Sequence, residues 1–125
     1  MLIRDVLTLT QAQIFSPDSK SSLVEAVFDI DVQIGLSADL MSDVLLAESN
    51  RGLLVTGLIN PQIIRTAEMS DIVAILLVRG KKPLTETCKL AQETGIPILG
   101  TKMSMFEACG RLHVAGLVSS FRQNS

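Results

Sequence analysis

Three short stretches hold the residues whose types could do chemistry: Thr56-Gly57 up to Asn60, Arg79-Gly80-Lys81-Lys82, and Thr101-Lys102 up to Ser104. Each follows a compact apolar run and precedes an amphipathic one, so each reads as the elbow between a strand and a helix. Helix amino-termini present backbone amides that have no partner within the helix. Threonine and serine hydroxyls and the charges of Arg79, Lys81 and Lys102 surround them, a combination that suits an anion such as a phosphate or carboxylate. The candidate ligand-binding set is therefore Thr56, Gly57, Asn60, Arg79, Gly80, Lys81, Thr101, Lys102 and Ser104. The plainer reading of the same residues is turn and cap chemistry, with the lysines solvated.

Other reactive side chains do not assemble into a motif. Asp29 and Asp31 stand two apart on an alternating stretch, which would put both on one face of a strand and allow a metal or acid–base pair. A solvated face that discourages edge-to-edge pairing explains them as well. His113 is the single histidine and has no carboxylate and nucleophile near it in sequence. Cys88 and Cys109 fall on different helical stretches without CxxC spacing, and Cys109 sits on a packed stripe, where a thiol is inert. There is no G-x-x-x-x-G-K-[ST], no G-x-G-x-x-G and no G-x-S-x-G. No catalytic residue, metal ligand or cofactor is assigned.

The elements that must position the elbows repeat three times between Gly52 and Leu117. The strands are GLLVTG, IVAILLVRG and IPILGT; the helices are LINPQIIRTAEMS, KKPLTETCKLAQETG and KMSMFEACGRLHVAGL. Asn60 before Pro61 is a cap followed by a proline that needs no amide hydrogen. Thr85 is placed as the cap of the second helix, and Ser104-Met105-Phe106-Glu107 matches the capping box. Gly95 and Pro97 stop the second helix. Leu84, Cys88 and Ala91 are its expected inward face, and Met105, Cys109 and Leu112 that of the third. Such alternation implies parallel neighbours joined by right-handed crossovers.

Ahead of this repeat, Leu2, Ile3, Val6 and Leu7 have helical spacing, and Ala12 to Phe15 reads as a brief strand. Phe28, Ile30, Val32 and Ile34 alternate with polar residues up to Gly35, which predicts a half-buried strand at the edge of the sheet. Ser37 to Glu48 reads as a short helix capped by Ser37 or Asp39. The expected fold is α/β: one domain over residues 1–125, with a mixed, mostly parallel central sheet flanked by helices.

Composition narrows the function classes. The chain has 125 residues, is 47% hydrophobic, and balances 11 basic against 13 acidic side chains. Its mean hydropathy of +0.40 is high for so small a domain, which suits a doubly covered sheet, a surface covered by another subunit, or both. Nucleic acid is disfavoured by the lack of a basic block and by four Phe with no Tyr or Trp to stack on bases. The longest apolar run, Ile72 to Val78, is seven residues, against about 20 for a membrane span. Asp5 inside the first apolar stretch argues against a signal peptide, so a cytoplasmic location is expected.

The chain resembles the DRTGG domain family. The resemblance is carried by S-D-V-L-L-A (Ser42 to Ala47), L-L-V-T-G-L (Leu53 to Leu58), N-P-Q-I-I-R-T-A-E-M (Asn60 to Met69), V-R-G-K-K-P (Val78 to Pro83), G-I-P-I-L-G-T (Gly95 to Thr101) and M-F-E-A-C-G-R-L (Met105 to Leu112). It covers most of residues 39–117, in the order of the small stand-alone members. The naming letters are absent: Leu40-Met41 stands where larger relatives have Asp-Arg, and Arg79-Gly80-Lys81 where they have Thr-Gly-Gly. The resemblance implies a regulatory, non-enzymatic domain that self-associates as a homodimer. In prokaryotes such domains accompany phosphotransacetylases and CBS-containing pyrophosphatases, with stand-alone members near redox genes, so a larger enzyme or redox-complex protein is an expected partner. The alternative is a sensor of a small phosphorylated ligand, or nucleotide, at the three elbows.

Overall fold

The computed structural model describes residues 1–47 and 49–119. In chain order the elements are α1 (Ile3–Thr10), β1 (Gln13–Ser16), α2 (Val24–Phe28), β2 (Ile34–Ser37), α3 (Met41–Leu46) and β3 (Gly52–Thr56). They continue with α4 (Gln62–Met69), β4 (Ile72–Leu77), α5 (Thr85–Thr94), β5 (Ile98–Gly100), α6 (Met105–Val114) and β6 (Val118–Ser119). The strands form one sheet in the order β1-β5-β4-β3-β2-β6. Among these six strands the β1–β5 pairing is antiparallel, while β5, β4, β3, β2 and β6 run parallel. The architecture is the expected α/β sheet, mixed and mostly parallel, with helices on both faces.

Period-two alternation along the central strands divides the core in two. Leu53, Val55, Ala74, Leu76 and Leu99 face one side, where they pack with Ile3 and Val6 of α1 and Ala108 and Leu112 of α6. Leu54, Ile75, Leu77 and Ile98 face the other, against Val44 of α3, Ile63, Ile64 and Ala67 of α4, and Ala91 of α5. A strand buried on both faces needs an unbroken apolar run, and this is why Gly52–Thr56 and Ile72–Leu77 lack polar alternation.

The topology explains which helix lies where. From β2 to β5 the chain steps in one direction, and α3, α4 and α5 all lie on one face, as crossovers of a single hand require. After β5 it turns back across the sheet to pair beside β2. The same hand then demands the opposite face, and α6 lies there.

Three expectations are corrected. The alternating stretch from Phe28 to Ile34 is not an edge strand: Val24–Phe28 is helical, and β2 starts only at Ile34, inside the sheet. Residues 30–32 run beside the chain start instead, with Ile3 N donating to Ile30 O at 2.9 Å and Val32 N to Met1 O at 2.8 Å. The antiparallel edge is β1, matching the brief strand read at Ala12 to Phe15. The third helix, Met41–Leu46, starts after Ser37, which belongs to β2; its N-cap is Leu40 with no side-chain cap bond, so neither Ser37 nor Asp39 caps it, and Glu48 lies outside the described residues. The inward face of α5 holds Thr87 and Ala91, while Leu84 is exposed and stands at the N-cap; Thr85, expected as the cap, is the first helical residue instead.

Other local readings match. Ser104 Oγ accepts from Glu107 N at 3.1 Å, although the Glu107 carboxylate turns to Arg111 at 3.1 Å rather than back to the cap. Gly95 ends α5 at φ 76°. Asn60 Oδ1 accepts from Gln62 N at 3.1 Å, so Pro61 is the first helical residue in all but name.

Candidate functional site

The carboxyl ends of β2, β3, β4 and β5 lie along one edge of the sheet, and all three elbows gather there. The edge divides into two halves with different chemistry.

In the first half the elbow after β3 is already engaged by a carboxylate of the chain itself. Asp39 Oδ1 accepts from Gly57 N at 2.8 Å and from Thr56 Oγ1 at 2.9 Å. Thr56 Oγ1 in turn accepts from Leu58 N at 3.2 Å. Arg79 closes the group, with Nη2 3.9 Å from Asp39 Oδ2, its guanidinium lying where a Cβ on Gly57 would be. The Gly57 amide lowers the Asp39 carboxyl below its ordinary value; burial, the next effect in size, opposes it, and the Thr56 hydroxyl and then the Arg79 charge add to the lowering. Asp39, expected as a helix cap, belongs to this edge instead. Its sequence signal, a polar residue before an apolar helix, is the same for both roles.

Backbone bonds zip the elbows after β4 and β5 together. Arg79 N donates to Met103 O at 2.8 Å and Gly80 N to Thr101 O at 2.9 Å. Both Arg79, at φ 59°, and Gly80, at φ 71°, are left-handed, which turns these amides toward β5. Thr101 is buried: its hydroxyl donates to Thr10 O at 2.5 Å and accepts from Met103 N at 3.1 Å. The hydroxyls of Thr56 and Thr101 are thus both held inside the fold.

Beyond this zip lies a cavity of about 380 Å³ lined by Lys81, Lys82, Lys102, Gln11, Gln13 and Phe15, among others. Asn60, Ser104 and the Thr56–Arg79 group are not among its lining residues. The three lysines are exposed, and none of them takes part in an ion pair among the described residues. Gln11, Gln13 and Phe15 are brought here by the pairing of Gln13 with Gly100 across β1 and β5. A strand pairing of such sequence separation leaves no local trace, so nothing in the sequence singles them out.

The remaining candidates separate. Asp29 bonds to Arg4, and Asp31 accepts from the Met1 ammonium at 2.9 Å and from Gln33 at 2.8 Å. The two carboxylates therefore serve different partners. Among the described residues no three His, Cys, Asp or Glu side chains gather as a metal set. A second cavity, of about 270 Å³, holds Ser37, Cys109 and His113. Burial pushes the Cys109 thiol up, with a hydrogen bond to Ser37 acting weakly the other way. His113 Nδ1 lies 3.3 Å from Leu117 O. Burial pushes Cys88 up as well. Neither thiol has the electropositive setting that makes a thiolate. No helix among the described residues is long and apolar enough to cross a membrane.

No family model and no curated protein matches the chain. A solved structure does: the CBS and DRTGG domains of the regulatory region of Clostridium perfringens pyrophosphatase, complexed with its activator, diadenosine tetraphosphate. The match has a TM-score of 0.66 at 14% identity and covers 99% of this chain. It spans 51% of that regulatory-region chain. At that identity the likeness is one of fold, and the chain shares its fold with part of a regulatory region.

Proposed function

We propose that this protein is a non-catalytic regulatory or interaction domain of the DRTGG type that self-associates as a homodimer in the cytoplasm. The observation that carries this reading is the outward side of α6. Phe106 is 90% exposed and Val114 88%, and with Gly110 between them they recur every fourth residue and so share one side of the helix. A surface helix normally turns polar residues to water along that side. Val118, on the adjoining edge strand, is exposed as well. The fold-level likeness to part of an enzyme's regulatory region supports a regulatory role, and a larger enzyme or redox-complex protein is the partner such a role implies.

Size-exclusion chromatography with light scattering on the full chain at micromolar concentration tests the reading. A dimer that becomes monomeric in the Phe106→Glu, Val114→Glu double variant is expected. A monomeric wild-type chain overturns self-association. A dimer that survives the double variant moves the interface elsewhere, with Leu46 (85% exposed) and Met69 (75%) on the packed pair α3 and α4 as the next surface to charge.

The second reading is a sensor of a small phosphorylated ligand or nucleotide at the elbows. It is favoured by the carboxyl-edge placement of Arg79, Lys81 and Lys102, and by the nucleotide activator named for the pyrophosphatase regulatory region. A thermal-shift panel of nucleotides and phosphate esters tests it, and a panel without any stabilising compound sinks it.

A further inference from the structure

We infer that the lysine-lined cavity beside β5 is the ligand site of this protein, and that its ligand is a nucleoside polyphosphate held by Lys81, Lys82 and Lys102 with its base against Phe15. The inference rests on the sensor reading and sharpens it, because it moves the site away from Thr56, Gly57 and Arg79.

Three independent observations converge on this cavity. The first is topological. In an open α/β sheet the ligand crevice lies outside the carboxyl ends of two neighbouring strands whose following helices leave for opposite faces. Here α5, after β4, lies on one face and α6, after β5, on the other. Between the parallel neighbours β2 and β5 this happens only at β4–β5, where Lys81, Lys82 and Lys102 emerge.

The second is charge. The chain carries a net charge of −2, yet this cavity gathers three lysines and no carboxylate among its lining residues. By contrast, the Thr56–Gly57–Arg79 group holds its own anion, Asp39. Three ammonium groups from two elbows, without an ion pair among the described residues, match a chain of phosphates better than one phosphate or a carboxylate, since each is a separate point charge on a flexible stem.

The third is the rest of the lining. Phe15 supplies an aromatic ring seated against Gly100, where a Cβ would fall 2.0 Å from the ring. Gln11 and Gln13 are exposed amides, able both to donate and to accept, as the edge of a purine or pyrimidine requires. A cavity of about 380 Å³ falls within the range of small-ligand sites.

Isothermal titration of the full chain with ATP and with inorganic tripolyphosphate, both in metal-free buffer, tests the inference against three variants. Both probes are expected to bind the wild type. Lys81→Ala with Lys102→Ala should weaken both by roughly 100-fold, two charged contacts being lost. Phe15→Leu should weaken ATP by about tenfold and leave tripolyphosphate unchanged, as loss of stacking alone predicts. Arg79→Gln should alter neither. If ATP binding is lost in Arg79→Gln and kept in the lysine double variant, the elbow site stands and this inference falls. It falls equally if monophosphate esters bind and ATP does not. If Phe15→Leu weakens both probes alike, or neither, the nucleoside assignment falls. If none of these compounds binds at millimolar concentration, the sensor reading falls with it.

Discussion

Asp39 Oδ1 lies 2.8 Å from the backbone nitrogen of Gly57, so the first free amide after β3 is satisfied by a carboxylate from 18 residues earlier in the chain. The same oxygen holds the Thr56 hydroxyl, so one side chain ties the end of β2 to the end of β3. Asp39→Ala removes two acceptor bonds of a charged group and leaves Thr56 Oγ1 buried without its acceptor. We expect a loss of about 1–2 kcal/mol in urea unfolding, with the slope unchanged; bonds to charged groups are worth up to about 3 when fully buried, and Asp39 is half exposed. An unchanged midpoint would show that water replaces the carboxylate without cost.

The same group makes a prediction about pH. The folded-state pKa of Asp39 lies below its ordinary value, chiefly through the Gly57 amide. A carboxyl depressed on folding contributes stability above its unfolded pKa of about 3.9, and loses it as pH falls through the folded value. The gap in melting temperature between the wild type and Asp39→Asn should therefore be full at pH 7 and close as pH drops below about 4. Asp31, lowered first by the N-terminal ammonium, titrates in the same window but is common to both proteins and cancels. A gap that is constant from pH 7 to pH 3 would mean the charge of Asp39 contributes nothing.

Local chemistry explains what is legible in the sequence. The three strand–helix units, the Ser104 and Asn60 caps and the Gly95 stop are encoded within a few residues of where they act, and they stand as read. The elbows are legible for the same reason. Their internal partners are not, because Asp39, Thr10 and Met103 reach them across the fold. Residues 24–34 mislead for a physical reason: Val24, Val27 and Phe28 satisfy a helical spacing, while Phe28, Ile30 and Val32 satisfy a strand spacing. Only the docking of residues 30–32 along Met1 to Ile3 decides between them.

Thr101 offers a sharper probe of the β5 elbow. Its buried hydroxyl donates to Thr10 O at 2.5 Å, joining α1 to β5, and accepts from Met103 N at 3.1 Å. Thr101→Val keeps the shape and orphans a buried carbonyl and a partly buried amide. A loss of about 1–3 kcal/mol is expected, with Thr101→Ser restoring most of it because the hydroxyl returns. If Ser and Val variants unfold at the same urea concentration, the missing methyl or strand propensity governs this site instead of the hydrogen bonds.

Two glycines on the same edge present similar apparent clashes and should respond differently. A Cβ on Gly57 would fall 2.2 Å from Arg79 Nη2, and a Cβ on Gly100 would fall 2.0 Å from Phe15 Cε2. The first obstacle is the far end of an exposed, flexible side chain, so Gly57→Ala only swings the guanidinium away from Asp39. That surface pair is worth about 0.2–1 kcal/mol, and unfolding should shift by no more than that. The second obstacle is a ring packed against the core on the α3–α5 face, with Cδ2 at 2.7 Å and Cζ at 3.0 Å closing every small rotation. Gly100→Ala must therefore displace Phe15 or bend β5 away from β1, an overpacking that costs about 1–3 kcal/mol. The Gly100→Ala, Phe15→Leu double variant should recover part of the loss, because the leucine vacates the space the new methyl needs. Strict additivity of the two changes would show that the ring and the glycine do not meet.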